Sequence, residues 1–272
     1  MAVFLFVIYN TGMTFNIEWR SKEGYGDFIT GMCYAHSSVL KYQQPVNIRF
    51  HWPNPKGHLL SDIDKEPIID RFNHILSYMK PVEGLTISHK YSSAPTWRFI
   101  NELEEFNPLH GLWYTNKSYP VEKKLVAFWT SKHNLVFPGY HKDPLYNHWD
   151  IVKSKLENLG YNVVEITYRT PIDEVMRIIT TCEFGIGYEG MIHQLFKFTW
   201  RPIVIASQRV KLSRLLAIQG AIVTKPSQLL EENVLKYVEQ SQQNIDRLAI
   251  EHLKYMNDVQ DPSQHPLYNK PI

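Results

Sequence analysis

The sequence predicts an α/β protein made of two successive parallel-sheet units. Three observations carry this. Short β-rich runs alternate with helical patterns along most of the chain, the mark of parallel strands joined by helical crossovers. A polar stretch from Asn116 to Glu122, holding Pro120, interrupts the alternation near the middle, and the pattern then restarts. The chain has 272 residues, 44% of them apolar, enough core for two domains of ordinary size. The expected boundaries are 1–120 for the first unit, 121–226 for the second, and 227–272 for a terminal helix and tail packing back on the first. Two Rossmann-like domains facing across a cleft are the architecture that fits.

Each element has a local reason. Thr14 to Arg20 (TFNIEWR) alternates and is rich in β-formers, so it reads as a strand. An apolar helical pattern runs from Phe28 through Leu40. Val46 to Trp52 (VNIRFHW) alternates again as a strand, and the breakers of Asn54-Pro55-Lys56-Gly57-His58 make a loop. Ile68, Ile69, Phe72, Ile75, Leu76 and Met79 recur at helical spacing. Leu85 to Tyr91 reads as a third strand and Trp97 to Phe106 as a helix. In the second half, Lys124 to Trp129 is a strand and Trp149 to Leu159 an amphipathic helix ended by Gly160. Strand Asn162–Thr167, helix Ile172–Thr181, buried strand Phe184–Gly187, helix Met191–Thr199 and strand Pro202–Ser207 follow. Ala221–Thr224 is a short candidate strand, and one polar-faced helix is expected from Ser227 to Asp258.

Composition bounds the function. Lys plus Arg is 29 against 27 acids, a net charge of +2, so any polyanion site must be local. The composition is globular, which excludes wholesale disorder, a collagen-like repeat and a disulfide scaffold. Cys33 and Cys182 sit in apolar surroundings and read as buried thiols, with a reducing cytoplasm as the expected compartment. Structural zinc needs about four closely spaced ligands, and none are grouped here. The apolar run Ala2–Tyr9 lacks a basic flank and is far below the ~20 residues of a membrane span. Residues 1–12 are read as an extension or an extra edge strand, and a soluble protein without membrane insertion is expected. Asp62-Ile63-Asp64 mimics a metal-binding pair but lies in a polar loop, so no metal is expected.

Three clusters carry chemistry. Gly24-Tyr25-Gly26-Asp27 stands where a strand hands over to a helix, the ligand edge of an open α/β sheet. The third glycine of the dinucleotide fingerprint would fall at Ile29, which demotes a nicotinamide dehydrogenase. A carboxylate there can deprotonate a hydroxyl, or simply cap the helix; both readings stand at this point. Gly185 to His193 repeats the strand-to-helix passage through glycines. Glu189 suits sugar hydroxyls, and Gly190, Met191 and His193 would open a helix toward a pyrophosphate. His193 is read either as a neutral N–H donor to the ligand or as a core histidine under the loop. Thr130, Ser131 and Lys132, just past a strand, suit phosphate oxygens.

Together these motifs resemble the heptosyltransferase-like branch of the GT-B glycosyltransferases. The matching residues are Gly24-Tyr25-Gly26-Asp27, Trp129-Thr130-Ser131-Lys132, His148-Trp149, Ile186-Gly187-Tyr188-Glu189-Gly190-Met191-Ile192-His193 and Pro202-Ile203-Val204-Ile205, in family order over about residues 13–225. Tyr188-Glu189 stands where those enzymes usually have Asp-Thr. The resemblance implies transfer of a sugar from a nucleotide donor, a UDP-sugar favoured, to an acceptor hydroxyl. It makes Asp27 the general base and places Thr130, Ser131, Lys132 and the Gly190–His193 segment on the diphosphate. No cofactor is implied, because the nucleotide-sugar is a co-substrate.

Acceptor residues are expected on the first unit: Gly24, Tyr25 and Gly26 at the turn, and Trp52, Lys56, Trp97 and Arg98 in aromatic–basic loops that suit a sugar ring or a flipped base. The chain also resembles phage-encoded sugar transferases that decorate hydroxymethylated DNA bases, which makes hydroxymethylated cytosine in double-stranded DNA the favoured acceptor. Lipopolysaccharide or another saccharide is the alternative. The competing class is a non-catalytic nucleotide- or nucleic-acid-binding protein of the same fold.

Overall fold

A computed structural model describes residues 14–20, 25–42, 44–52, 68–91, 120–131, 143–167, 169–196, 199–207, 220–223 and 225–255. The first unit runs β1 (Phe15–Arg20), α1 (Tyr25–Tyr42), β2 (Val46–Trp52), α2 (Ile68–Ser77) and β3 (Leu85–Tyr91). Its three strands form a parallel sheet in the order β1-β2-β3, with Phe50 paired to Trp19 and to His89. β2 alternates as its sequence demands, with Val46, Ile48, Phe50 and Trp52 buried on one face. Arg49 and His51 point the other way, where both pair with Glu18.

The second unit runs β4 (Leu125–Trp129), α3 (Trp149–Asn158), β5 (Asn162–Ile166), α4 (Ile172–Thr181), β6 (Phe184–Tyr188), α5 (Met191–Leu195), β7 (Ile203–Ala206) and β8 (Gly220–Val223). Two further helices follow, α6 (Ser227–Glu231) and α7 (Leu235–Tyr255). The five strands are parallel in the order β5-β4-β6-β7-β8. The fold is therefore α/β with parallel sheets, as expected. Every residue of β4 is buried, because this sheet is covered on both sides. Leu125, Ala127 and Trp129 join one apolar cluster, and Val126 and Phe128 the other. Gly160, which ends α3, takes a φ of 82° that favours glycine.

The cluster holding Trp129 also holds the core of the first sheet. It runs from Ile17, Phe28 and Phe50 through Ile192 and Phe196 to Ile203. α1 packs against α5 along this path. A polar contact reinforces the junction: Asp173 in the first turn of α4 accepts from His74 Nε2 at 2.8 Å and from the Tyr78 hydroxyl.

Two expectations need correction. The single helix expected from Ser227 is two helices, because the Asn233 side chain accepts from Leu235 N–H at 3.0 Å and starts α7 afresh. The helix expected to reach Thr199 stops at Leu195, and Trp200 takes a φ of 54° through which no helix continues. The terminal helix α7 begins on the second sheet. Leu235, Tyr237 and Val238 pack into that sheet's outer cluster, and Ser241 Oγ accepts from Ile203 N–H at 2.9 Å. The helix expected at 97–106, the Asp62-Ile63-Asp64 segment and residues 1–12 lie outside the described residues.

Candidate functional site

Chain order locates the ligand edge of the second sheet. The step from β4 to β5 goes one way along the sheet, and the step from β5 to β6 crosses back past β4. Right-handed crossovers then place α3 on one face and α4 on the other, as their separate core clusters confirm. The loops leaving β4 and β6 thus diverge, opening a crevice at the strands' carboxyl ends. This is the topological switch point, where open α/β sheets bind ligands.

Polar side chains gather there, buried, against the rule that such positions are apolar. Thr130 and Ser131 leave β4, Glu189 leaves β6, and Ser207 leaves β7. Asp143, which sequence reading missed, fastens the β4 loop. It is 6% exposed and accepts four hydrogen bonds. Ser131 N–H and Oγ donate to Oδ2 at 3.0 and 2.6 Å, while Leu145 N–H and Trp149 Nε1 donate to Oδ1 at 3.1 and 2.8 Å. Ser131 is thereby committed to the protein. Thr130 is not: its hydroxyl is buried and meets no partner among the described residues.

On the other lip, Ser207 Oγ donates to Glu189 Oε2 at 3.0 Å. Gly187 has to be glycine for packing, since a Cβ there would lie 2.4 Å from both the Trp129 ring and the Trp129 carbonyl oxygen. That close approach lets Trp129 Nε1 donate to the Tyr188 carbonyl at 2.8 Å, locking β4 to β6 beneath the loops. Met191 is half-buried against the shared core.

His193 is a correction to the expected ligand donor. Its Nδ1 accepts from Gly190 N–H at 2.8 Å, so the neutral ring carries its proton on Nε2. The side-chain nitrogen of Gln194 lies 2.7 Å from Nε2, and Gln194 Oε1 is buried without a partner. Two donors do not pair. Turning the amide over puts Oε1 on the Nε2–H, so that a donor meets an acceptor. His193 therefore caps its own five-residue helix and takes up a backbone N–H that was expected to face a phosphate.

On the first unit, Tyr25, Gly26 and Asp27 form the first turn of α1. Asp27 stands third in the helix, inside the turn rather than ahead of it, which removes the simple N-cap reading. Trp52 is a second correction. It ends β2 with its side chain fully buried, stacked on Phe72 at 4.0 Å between centroids, and belongs to the core instead of a ligand platform. The parity of Val46, Ile48 and Phe50 explains this, for Trp52 continues their face. Its Nε1 donates to Nδ1 of His89, another residue sequence reading passed over, at 3.0 Å. Gly24, Lys56, Trp97, Arg98 and Lys132 lie outside the described residues.

Burial holds His89 below the ordinary histidine pKa. The unfolded chain then takes up the proton first as the pH falls. The group's contribution to stability is complete above about pH 6.5 and is lost as the pH drops from there through its folded value. Melting temperature followed from about pH 7.5 to 5 should fall less in His89→Phe than in the wild type. Parallel curves would show that His89 does not titrate differently on folding. Cys182, fully buried, has its thiol pushed up to about 12 and is no nucleophile at neutral pH.

Among the described residues, no helix is long and apolar enough to cross a membrane. No group of three or more His, Cys, Asp or Glu among them could hold a metal ion. No family model matches the chain, and no curated protein does. Among solved structures, the bacterial iron-containing dodecameric glycosyltransferase TibC from enterotoxigenic E. coli H10407 is similar at 12% identity and a TM-score of 0.40. The match covers 70% of this chain and 57% of that one. A likeness that remote bears on neither fold nor activity. What the chain itself defines is a parallel α/β protein with buried polar side chains at a topological switch point.

Proposed function

We propose that the protein is a glycosyltransferase that moves a sugar from a nucleoside diphosphate donor, a UDP-sugar favoured, to an acceptor hydroxyl. The favoured acceptor is hydroxymethylated cytosine in phage DNA. The observation that carries the reading is the Thr130 hydroxyl, buried and without a partner among the described residues, one residue past β4 at the switch point. A buried hydroxyl without a partner costs stability unless a ligand or water completes it. The order of the Gly-x-Gly-Asp, Thr-Ser-Lys and Gly-Tyr-Glu-Gly segments supports the same reading. In this proposal the donor diphosphate lies over the crevice, held by Thr130 and Lys132, with Glu189 on hydroxyls of the sugar or ribose. The two units face each other across the site. Asp27 removes the acceptor proton as the acceptor oxygen bonds to the anomeric carbon. The bond from that carbon to the diphosphate breaks, and its electrons leave with the nucleotide, where Lys132 offsets the charge without a metal.

A thermal-shift panel of nucleoside diphosphates tests the donor site. One of them should raise the melting temperature, and Lys132→Ala should abolish that rise. Thr130→Val should leave the free protein as stable as the wild type or more so, because an orphaned hydroxyl becomes a methyl. It should weaken the same nucleotide roughly tenfold, the value of about one hydrogen bond to a charged group. Mass spectrometry of hydroxymethylated DNA and of glycans after incubation with mixed nucleotide-sugars then identifies the acceptor. A panel without any shift sinks the reading.

A further inference from the structure

We propose that His89 is a ligand-binding residue of the first unit, which donates its Nε2–H to a neutral oxygen, hydroxyl or carbonyl, of the acceptor molecule. Trp52 is the positioning residue that fixes its tautomer. The inference rests on the assignment of the first unit to the acceptor. The indole N–H is a donor only, so its 3.0 Å bond to Nδ1 leaves the single proton of a neutral ring on Nε2. Nε2 is buried and has no hydrogen-bond partner among the described residues. His89 thus presents a fixed donor with nothing to receive it, and it cannot serve as a base through that nitrogen.

Its surroundings select the ligand chemistry. The ring lies against Phe28, Phe50 and Trp52, with centroids 6.1, 5.7 and 6.0 Å away. The nearest charged side chains of these strands, Arg49 and Lys90, alternate onto the opposite face. Neither a carboxylate to recruit a second proton nor a cation to hold a phosphate meets the ring from this sheet. Location matters equally. His89 lies near the carboxyl end of β3, and Phe28, against which it packs, directly follows Asp27 in the first turn of α1. The donor therefore stands beside the turn that carries the proposed base, where an acceptor oxygen has to be oriented.

The test uses the full chain labelled with ¹⁵N-histidine, with His89 assigned by the signal lost in His89→Phe. At neutral pH the ring should be the Nε2–H tautomer, and Trp52→Phe should turn it into a mixture. The His89 signal should move when a hydroxymethylcytosine duplex is added and stay still with UDP. Trp52→Phe/His89→Phe, which removes both polar groups while keeping aromatic rings, should melt near the wild type. Its KM for the duplex should rise by roughly tenfold or more, with the nucleotide-induced shift intact. An imidazolium or an Nδ1–H tautomer at neutral pH overturns the proposal. So does a double variant that unfolds readily, which makes the pair structural, or one with unchanged KM. A wild-type chain that binds no nucleoside diphosphate sinks the transfer reading, while tautomer and double-variant stability still decide the role of His89.

Discussion

Asp143→Ala should lower the melting temperature by about 10 °C or more, a loss of roughly 3–5 kcal/mol in a chain of this size. The carboxylate is buried and both oxygens are used twice. Alanine leaves the Ser131 and Leu145 N–H groups and the Trp149 indole N–H without acceptors, while the Ser131 hydroxyl can turn elsewhere. Each stranded donor costs about 1–3 kcal/mol, with losses that overlap because all belong to one network. Asp143→Asn separates geometry from hydrogen bonding. Its amide keeps the shape, but its NH2 must face either the Ser131 pair or the Leu145–Trp149 pair, so about half the loss should remain. The nucleotide-induced shift should shrink in both variants, since Asp143 fastens the loop that carries Thr130 and leads to Lys132. Calorimetry on the three proteins checks the ranking, and an alanine variant melting within a couple of degrees of the wild type would refute the anchoring role.

What the sequence showed plainly was periodicity. β2 reads as a strand because its apolar residues fall on alternate positions, and they are buried in that pattern. β4 and β7 read as runs without alternation, and both are covered on two faces. The same parity puts Trp52 on the core face of β2 and His89 on the core face of β3, but Trp52 also opens the aromatic–basic loop that follows, and a strand end and a loop start share its letter. Asp143 was harder to see. Its partners are twelve residues back and two and six residues ahead, a closure that only the folded loop creates. The local trace of it is an Asp-Pro turn just ahead of a tryptophan that opens a helix, with Asp143 accepting from the N–H two residues on. The cap of α7 left a similar trace in Asn233, which periodicity overrode. His193 was placed at its turn from the sequence, but a ring that caps its own helix and one that reaches out to a ligand leave identical letters.

Asp27→Asn should reduce turnover by roughly 10²–10⁴, the range for a lost general base, while barely affecting the fold. The structure sharpens this comparison. Because α1 begins at Tyr25, position 27 lies within the first turn, where a helix dipole favours a carboxylate. Losing that charge costs about 0.3–1 kcal/mol, and at roughly 2–4 °C per kcal/mol the melting temperature should fall by no more than a few degrees. A purely structural Asp27 has only that small effect to lose, so its asparagine variant would turn over like the wild type. A base loses proton abstraction altogether, because an amide does not take up the acceptor proton at neutral pH. Donor binding should be unchanged, since Thr130 and Lys132 belong to the second unit. Turnover, melting temperature and nucleotide-induced shift measured on this one variant therefore move independently: slow, stable and still nucleotide-binding fits the base, whereas a stable variant with full turnover ends the mechanism.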